Sequence, residues 1–247
     1  RRGDKGVVGR LLGEEPVPEP LLGAGCDVLV EAWSGADGVL AGVERWRVRR
    51  RFSELWLQHA DLLRGSDFLW GKVSYVLAST DRYGELLEWM SDWRGRGEVE
   101  SWMLYNYSLG LVILGRGGEA LEVLHHALSQ RMEAGMYRSL AVLAAFELAV
   151  TGGGDEARVL LQSVELEREP GVTRSLQLMT QALLVEGGSG AVSRVRGLLR
   201  EAFDTWPPSK MGPLVRVAYR RMLRELGKRK GFLGVRVWAR VKYWWGG

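Results

Sequence analysis

The chain has 247 residues, 46% of them hydrophobic and 26% charged, with a net charge of +4. These proportions belong to a folded protein able to bury a sizeable core, and they exclude a low-complexity or disordered chain. Cys26 is the single cysteine, so no intrachain disulfide can form, and no run of 18 residues is apolar and charge-free throughout, so no transmembrane helix is expected.

Residues 1–20 are rich in Gly, Pro and charge, and Glu14-Glu15-Pro16-Val17-Pro18-Glu19-Pro20 reads as an extended linker or tail. The chain opens on Arg1-Arg2, and its first twenty residues do not have the pattern of a signal peptide. It reads as a piece of a longer polypeptide. Residues 21–66 are expected to form an irregular N-terminal helical cap. Within it Asp27–Trp33 fits a strand or a helix by period, and context favours the helix. A basic knot follows, with Arg45, Arg47, Arg49, Arg50 and Arg51 around Trp46 and Val48.

From Phe52 onward the apolar period is helical. Expected helices are Ser53–Leu63 with Ser53 as N-cap, Asp67–Ser79 with Asp67 as N-cap, Arg82–Trp93, Glu98–Leu114, Glu119–Glu133, Tyr137–Val150, Asp155–Glu167, Thr173–Glu186, Gly190–Phe203, Pro213–Leu226 and Phe232–Trp245. The loops between them are short, so neighbours must pack as antiparallel hairpins.

A cassette recurs along these helices. Gly84-Glu85-Leu86-Leu87 returns as Gly117-Gly118-Glu119-Ala120-Leu121, then as Gly154-Asp155-Glu156-Ala157, and more weakly as Ser189-Gly190-Ala191-Val192. Glu85 to Glu119 is 34 residues and Glu119 to Glu156 is 37. A period of that length marks stacked helix pairs, each too small to fold alone. The expected fold is therefore all-α, with repeats over residues 67–206.

At Leu109-Gly110, Ile113, Ala120-Leu121 and Ala127-Leu128 the chain resembles the tetratricopeptide repeat. The next repeat is similar, with Ala144-Ala145 in its first helix and Ala157 with Val164 in its second. The resemblance implies an α-solenoid, a right-handed superhelical array of antiparallel helix hairpins, that binds a peptide or helix of a partner protein in its groove. By position the groove residues would be Leu104, Tyr107, Leu111, Leu114 and Phe146. The segment from Tyr105-Asn106 through Gly115-Arg116 to Glu119-Ala120-Leu121 is also similar to the pentatricopeptide repeat, which would give Asn106 a base-reading role. The corresponding places near Val142 and Gln177 do not keep a polar type.

Motifs for chemistry are weak. Gly115-Arg116-Gly117-Gly118-Glu119-Ala120 matches G-x-G-x-x-A, but a dinucleotide fingerprint needs a strand before it, and here a helix precedes. His59, His125, His126 and Cys26 make a poor metal set, because adjacent histidines point about 100° apart on a helix. No catalytic residues, metal or cofactor are expected.

The basic end has no repeat explanation. From Pro207 to Gly247 there are eleven Lys/Arg against one acidic residue, Glu225, a net +10, which leaves −6 on the preceding 206 residues. Residues 207–247 are expected to form a basic capping helix pair. Arg220, Arg221, Arg236, Arg240 and Lys242, interleaved with Trp238, Trp244 and Trp245, form a candidate patch for an anionic partner, as does the Arg45–Arg51 knot. As a helix, Val237, Trp238, Val241, Trp244 and Trp245 would share one apolar stripe. The expected function is a non-catalytic protein-binding scaffold, part of a larger protein or assembly, in the cytoplasm or another reducing compartment such as an organelle matrix. The alternative is an RNA-binding repeat protein acting through the basic helices. A peripheral membrane contact, where Trp and Arg co-occur, is a third kind of partner.

Overall fold

Leu22, Gly25, Cys26, Leu29 and Val30 are buried at steps of three and four residues, so the ambiguous N-terminal segment closes its apolar side as a helix. This computed structural model describes residues 21–34, 41–165, 168 and 171–244, and every regular element among them is helical. The chain divides into two compact units, residues 1–110 and 111–247.

In the first unit, α1 is Leu22–Ser34, α2 is Ala41–Gly65, α3 is Asp67–Ser79 and α4 is Tyr83–Trp89. Helix α1 packs on both α2 and α3, and α4 packs on α3. Helix α2 starts well upstream of Ser53, which lies inside it rather than at its cap, because Val48, Phe52 and Leu55 already form a continuous buried stripe. Its one irregularity is His59, where φ −128° and ψ 22° kink the axis. The cap of α3 is Ser66 and not Asp67: the Ser66 hydroxyl accepts from the Leu69 N–H at 3.4 Å. Two buried tryptophans lock α3 to α4 reciprocally. The Trp70 indole donates to the Trp89 carbonyl at 3.1 Å, and the Trp89 indole donates to the Trp70 carbonyl at 2.9 Å. Helix α4 is shorter than its apolar period predicts and is followed by a 3-10 turn at Trp93–Gly95, which puts Trp93 into the core.

Helix α5, Ser101–Ile113, runs through the division between the units. At Gly110 an added Cβ would lie 3.0 Å from a Leu86 methyl and 3.1 Å from a Leu87 methyl, so this glycine is a point of close approach to α4.

In the second unit, α6 is Gly117–Leu128, α7 is Ala134–Thr151, α8 is Gly154–Gln162, α9 is Val172–Leu184, α10 is Ala191–Phe203, α11 is Pro213–Lys228 and α12 is Leu233–Trp244. Helices α7, α9 and α11 follow one another side by side, and each carries the next helix in the chain, α8, α10 and α12 respectively, as its hairpin partner. The small residues of the repeat pattern, Ala120, Ala127, Ala144, Ala145 and Ala157, are wholly buried. Helix α7 is long and apolar enough to cross a membrane by length and composition. It is instead the core helix of this unit, with every side chain from Leu140 to Leu148 buried. It ends at Gly152, whose φ of 102° is the left-handed conformation that favours glycine. Helix α8 stops at Gln162 and not near Glu167, and only Ala157 of it is fully buried.

Candidate functional site

The five residues expected to line a groove are placed mostly in the interior. Leu104, Leu111 and Phe146 are no more than 1% exposed, Tyr107 is nearly as buried, and only Leu114, at 49%, faces solvent. The groove built on them is corrected to core. The physical reason lies in α5 and α7 themselves, whose apolar residues recur on every side, and a helix that is apolar all round is enclosed. Asn106 is also inside, its amide donating to the Ser74 hydroxyl at 3.4 Å, so it cannot read a base.

An open concavity does exist in the second unit, among α8, α9 and α10. It measures about 630 Å³ and is lined by Leu161, Leu184 and Leu198 together with Gln162, Gln181, Arg158 and Arg194. Arg158 is held at its edge by Asp155 at 2.7 Å and Glu186 at 2.9 Å. The leucines give it an apolar floor, and the amides and guanidinium groups stand at its rim.

The Arg45–Arg51 knot lies on α2. Arg45 and Arg49 stack on the Trp33 ring at 5.4 and 5.1 Å, and Arg49 also donates to the Thr80 carbonyl at 3.0 Å. Arg50 stacks on Trp46 and pairs with Glu54 at 2.9 Å. Arg51 is buried against the same Glu54 carboxylate, which these two guanidinium groups hold below the usual carboxylate range. Arg51 is therefore structural and leaves the anionic patch. Arg47 remains exposed.

The C-terminal patch divides in the same way. Arg221 is turned inward, making a two-pronged contact with Glu147 of α7 at 2.5 and 2.8 Å and lying over the Phe146 ring. Glu147 is completely buried. A Cβ added to Gly117 would sit 2.4 Å from a Glu147 carboxylate oxygen, so the cassette glycine makes room for the ion pair. Arg221 is thus a latch between α7 and α11 and not a surface cation. Arg220 and Arg224 of α11 and Arg236 and Arg240 of α12 instead line one cleft of about 330 Å³ above Tyr219 and Leu223. Lys242 pairs with Asp204, whose carboxyl it and the Tyr243 hydroxyl hold below the usual range. Trp238 is half-buried, with Arg196, Arg200 and Lys242 5.5–5.7 Å from its ring. The expected apolar stripe of α12 is corrected. Phe232, Val235, Ala239 and Tyr243 are the buried residues, and Val237 and Val241 point outward. The Trp244 side chain and Trp245 lie outside the described residues.

Burial pushes the Cys26 thiol up to about 12, which keeps it protonated and inert. Among the described residues no three His, Cys, Asp or Glu side chains converge as a metal would need. The G-x-G-x-x-A segment starts in the turn between α5 and α6, with Gly115 at φ +81°, and runs into the first turn of α6. Sequence reasoning missed Glu147, whose signal was a lone carboxylate in the apolar run Leu140–Ala149. It also missed Arg196 and Arg200 as neighbours of Trp238. No protein-family profile, curated protein or solved structure matches this chain.

Proposed function

We propose that this chain is a non-catalytic scaffold of tandem helical hairpins, a tetratricopeptide-like array that receives a segment of a partner protein. The observation that carries the reading is the order of packing in the second unit. Helices α7, α9 and α11 lie in a row, and each brings its own second helix. Units of this kind cannot bury their apolar faces alone and gain a continuous core by stacking. Stacking also leaves clefts between successive second helices, and the cleft of about 630 Å³ is of this type. Its leucines supply apolar area to an incoming helix or strand, while Gln162, Gln181 and Arg194 supply orientation.

The test is affinity capture with the whole chain and with Leu198→Glu, a substitution at a half-exposed groove position. Bound protein is read by mass spectrometry before and after nuclease treatment. A protein that survives nuclease and is lost with Leu198→Glu supports the scaffold. Capture that disappears with nuclease, or that Leu198→Glu leaves untouched, overturns it.

A further inference from the structure

The last hairpin carries a surface that the scaffold reading leaves unused. Helix α12 fills its inner side with Val235, Ala239 and Tyr243, joined by Phe232 just before it, and packs on α10 and α11. Its other side shows Leu233, Val237 and Val241, four residues apart and 61%, 57% and 62% exposed. Isolated apolar residues on a surface carry no message, but a helix that only sealed an array would turn that side polar. Here three branched aliphatic residues stand in register, one turn above another.

The arginine cleft borders this stripe. Arg236 and Arg240 share α12 with it, and Arg220 and Arg224 face them from α11. Arg236 crosses Gly227: a Cβ added there would lie 2.7 Å from the arginine Cδ and 2.9 Å from a guanidinium nitrogen, so the bare glycine lets its stem pass. Among the described residues no carboxylate pairs with Arg224, Arg236 or Arg240. The acids on neighbouring positions are already engaged, Glu225 by Lys228 at 2.7 Å and Asp204 by Lys242 and Tyr243. Arg224, Arg236 and Arg240, gathered in one concave site with no carboxylate paired to them among the described residues, repel one another, and an anion relieves that repulsion. The guanidinium fork fits phosphate oxygens in particular.

We propose that α12 lies on an anionic phospholipid surface. Leu233, Val237 and Val241 enter the boundary between headgroups and acyl chains, and a headgroup phosphate seats between Arg224, Arg236 and Arg240. The apolar stripe decides among anions. A soluble phosphate would use the cleft and leave the stripe in water, and an RNA would do the same. A bilayer uses both, and the net +10 of residues 207–247 adds attraction to it. The contact is peripheral, because a helix of 12 residues is about 18 Å long against a hydrocarbon core of about 30 Å.

The experiment is vesicle flotation with the whole chain. Vesicles are phosphatidylcholine alone, or phosphatidylcholine with phosphatidylserine. Binding is expected on the anionic vesicles only. Arg236→Gln with Arg240→Gln is expected to lower the partition coefficient on the order of 20-fold. Val237→Ser with Val241→Ser is expected to lower it about 10-fold, and as outward positions they leave the helical circular dichroism unchanged. Arg224→Gln, on the other helix, gives a smaller loss in the same direction. Two parallel arms separate other sources of phosphate. Inorganic phosphate that raises the melting temperature through the arginines, without flotation, overturns the membrane proposal. So does a single-stranded RNA whose binding falls with the arginine pair but not with the valine pair. Flotation that ignores both pairs overturns it as well.

Discussion

On α2 Arg45, Arg49, Arg50 and Arg51 face partners that the chain itself provides, whereas Arg224, Arg236 and Arg240 of the α11–α12 hairpin pair with no carboxylate among the described residues. Arg45 and Arg49 rest on Trp33, and Arg50 and Arg51 share Glu54. Arg224, Arg236 and Arg240 open onto a shared cleft. As sequence the two regions look alike, each a basic run with interleaved aromatics. What separates them is counter-charge. An arginine already matched by a carboxylate or a ring has been spent on the fold, and one left unmatched in a concavity is available to a ligand. Position 221 sharpens the lesson, since Arg221 belongs to the second region by sequence and to the first by contact.

The largest effect that tests this comparison is at Glu147. Glu147→Ala leaves Arg221 in a mostly enclosed position without its carboxylate and is expected to cost about 3 kcal/mol, read by urea denaturation. Glu147→Leu combined with Arg221→Met should recover most of that loss. A single substitution with no effect would show that Arg221 is not a latch.

Gly117→Ala comes next. The new methyl collides with the Glu147 carboxylate and is expected to cost about 1–3 kcal/mol by the same measurement. Gly118→Ala, where an added Cβ meets nothing within 4 Å, should cost far less, which makes the adjacent pair a control.

A smaller effect follows pH. Asp67 accepts from the Glu98 backbone N–H at 2.9 Å and from Arg96 at 3.0 Å, and these hold its carboxyl below the usual range. A carboxyl with a lowered folded pKa stabilises the fold above its ordinary value of about 3.9, and that stability is lost as pH falls through the folded pKa. Asp67→Asn should therefore flatten the acid limb of the stability curve, by no more than about 1 kcal/mol given the partial exposure of the pair. An unchanged acid limb would count against the pairing.

The smallest effect on stability belongs to the cleft. Arg236→Gln with Arg240→Gln should move the unfolding free energy by no more than about 0.5 kcal/mol in either direction. A loss as large as that of Glu147→Ala would mean that these arginines, too, hold the fold.

The helical period, the hairpins and the small-residue contacts were legible in the sequence because each depends on residues within one or two turns of one another. Gly110 and Ala120 show this: both belong to the small-residue pattern read from the sequence, and both are buried. The start of α2 was misread because Ser53 is a good cap in isolation, while the stripe of Val48, Phe52 and Leu55 that overrides it acts only against a packed neighbour. The groove residues were misread for a related reason. Leu104 and Phe146 sit on helices apolar on all sides, where period cannot distinguish a face turned to a ligand from one turned to the core.

Thus the sequence by itself determined that the chain is helical, repetitive and basic at its end. Tertiary structure alone decided which of its basic side chains are withdrawn into the fold. Arg220 and Arg221 are neighbours about 100° apart on one helix. One lines the cleft, and the other reaches a carboxylate 74 residues away that is withdrawn entirely from water. No local spacing encodes that choice, because it is made by where α7 comes to lie against α11.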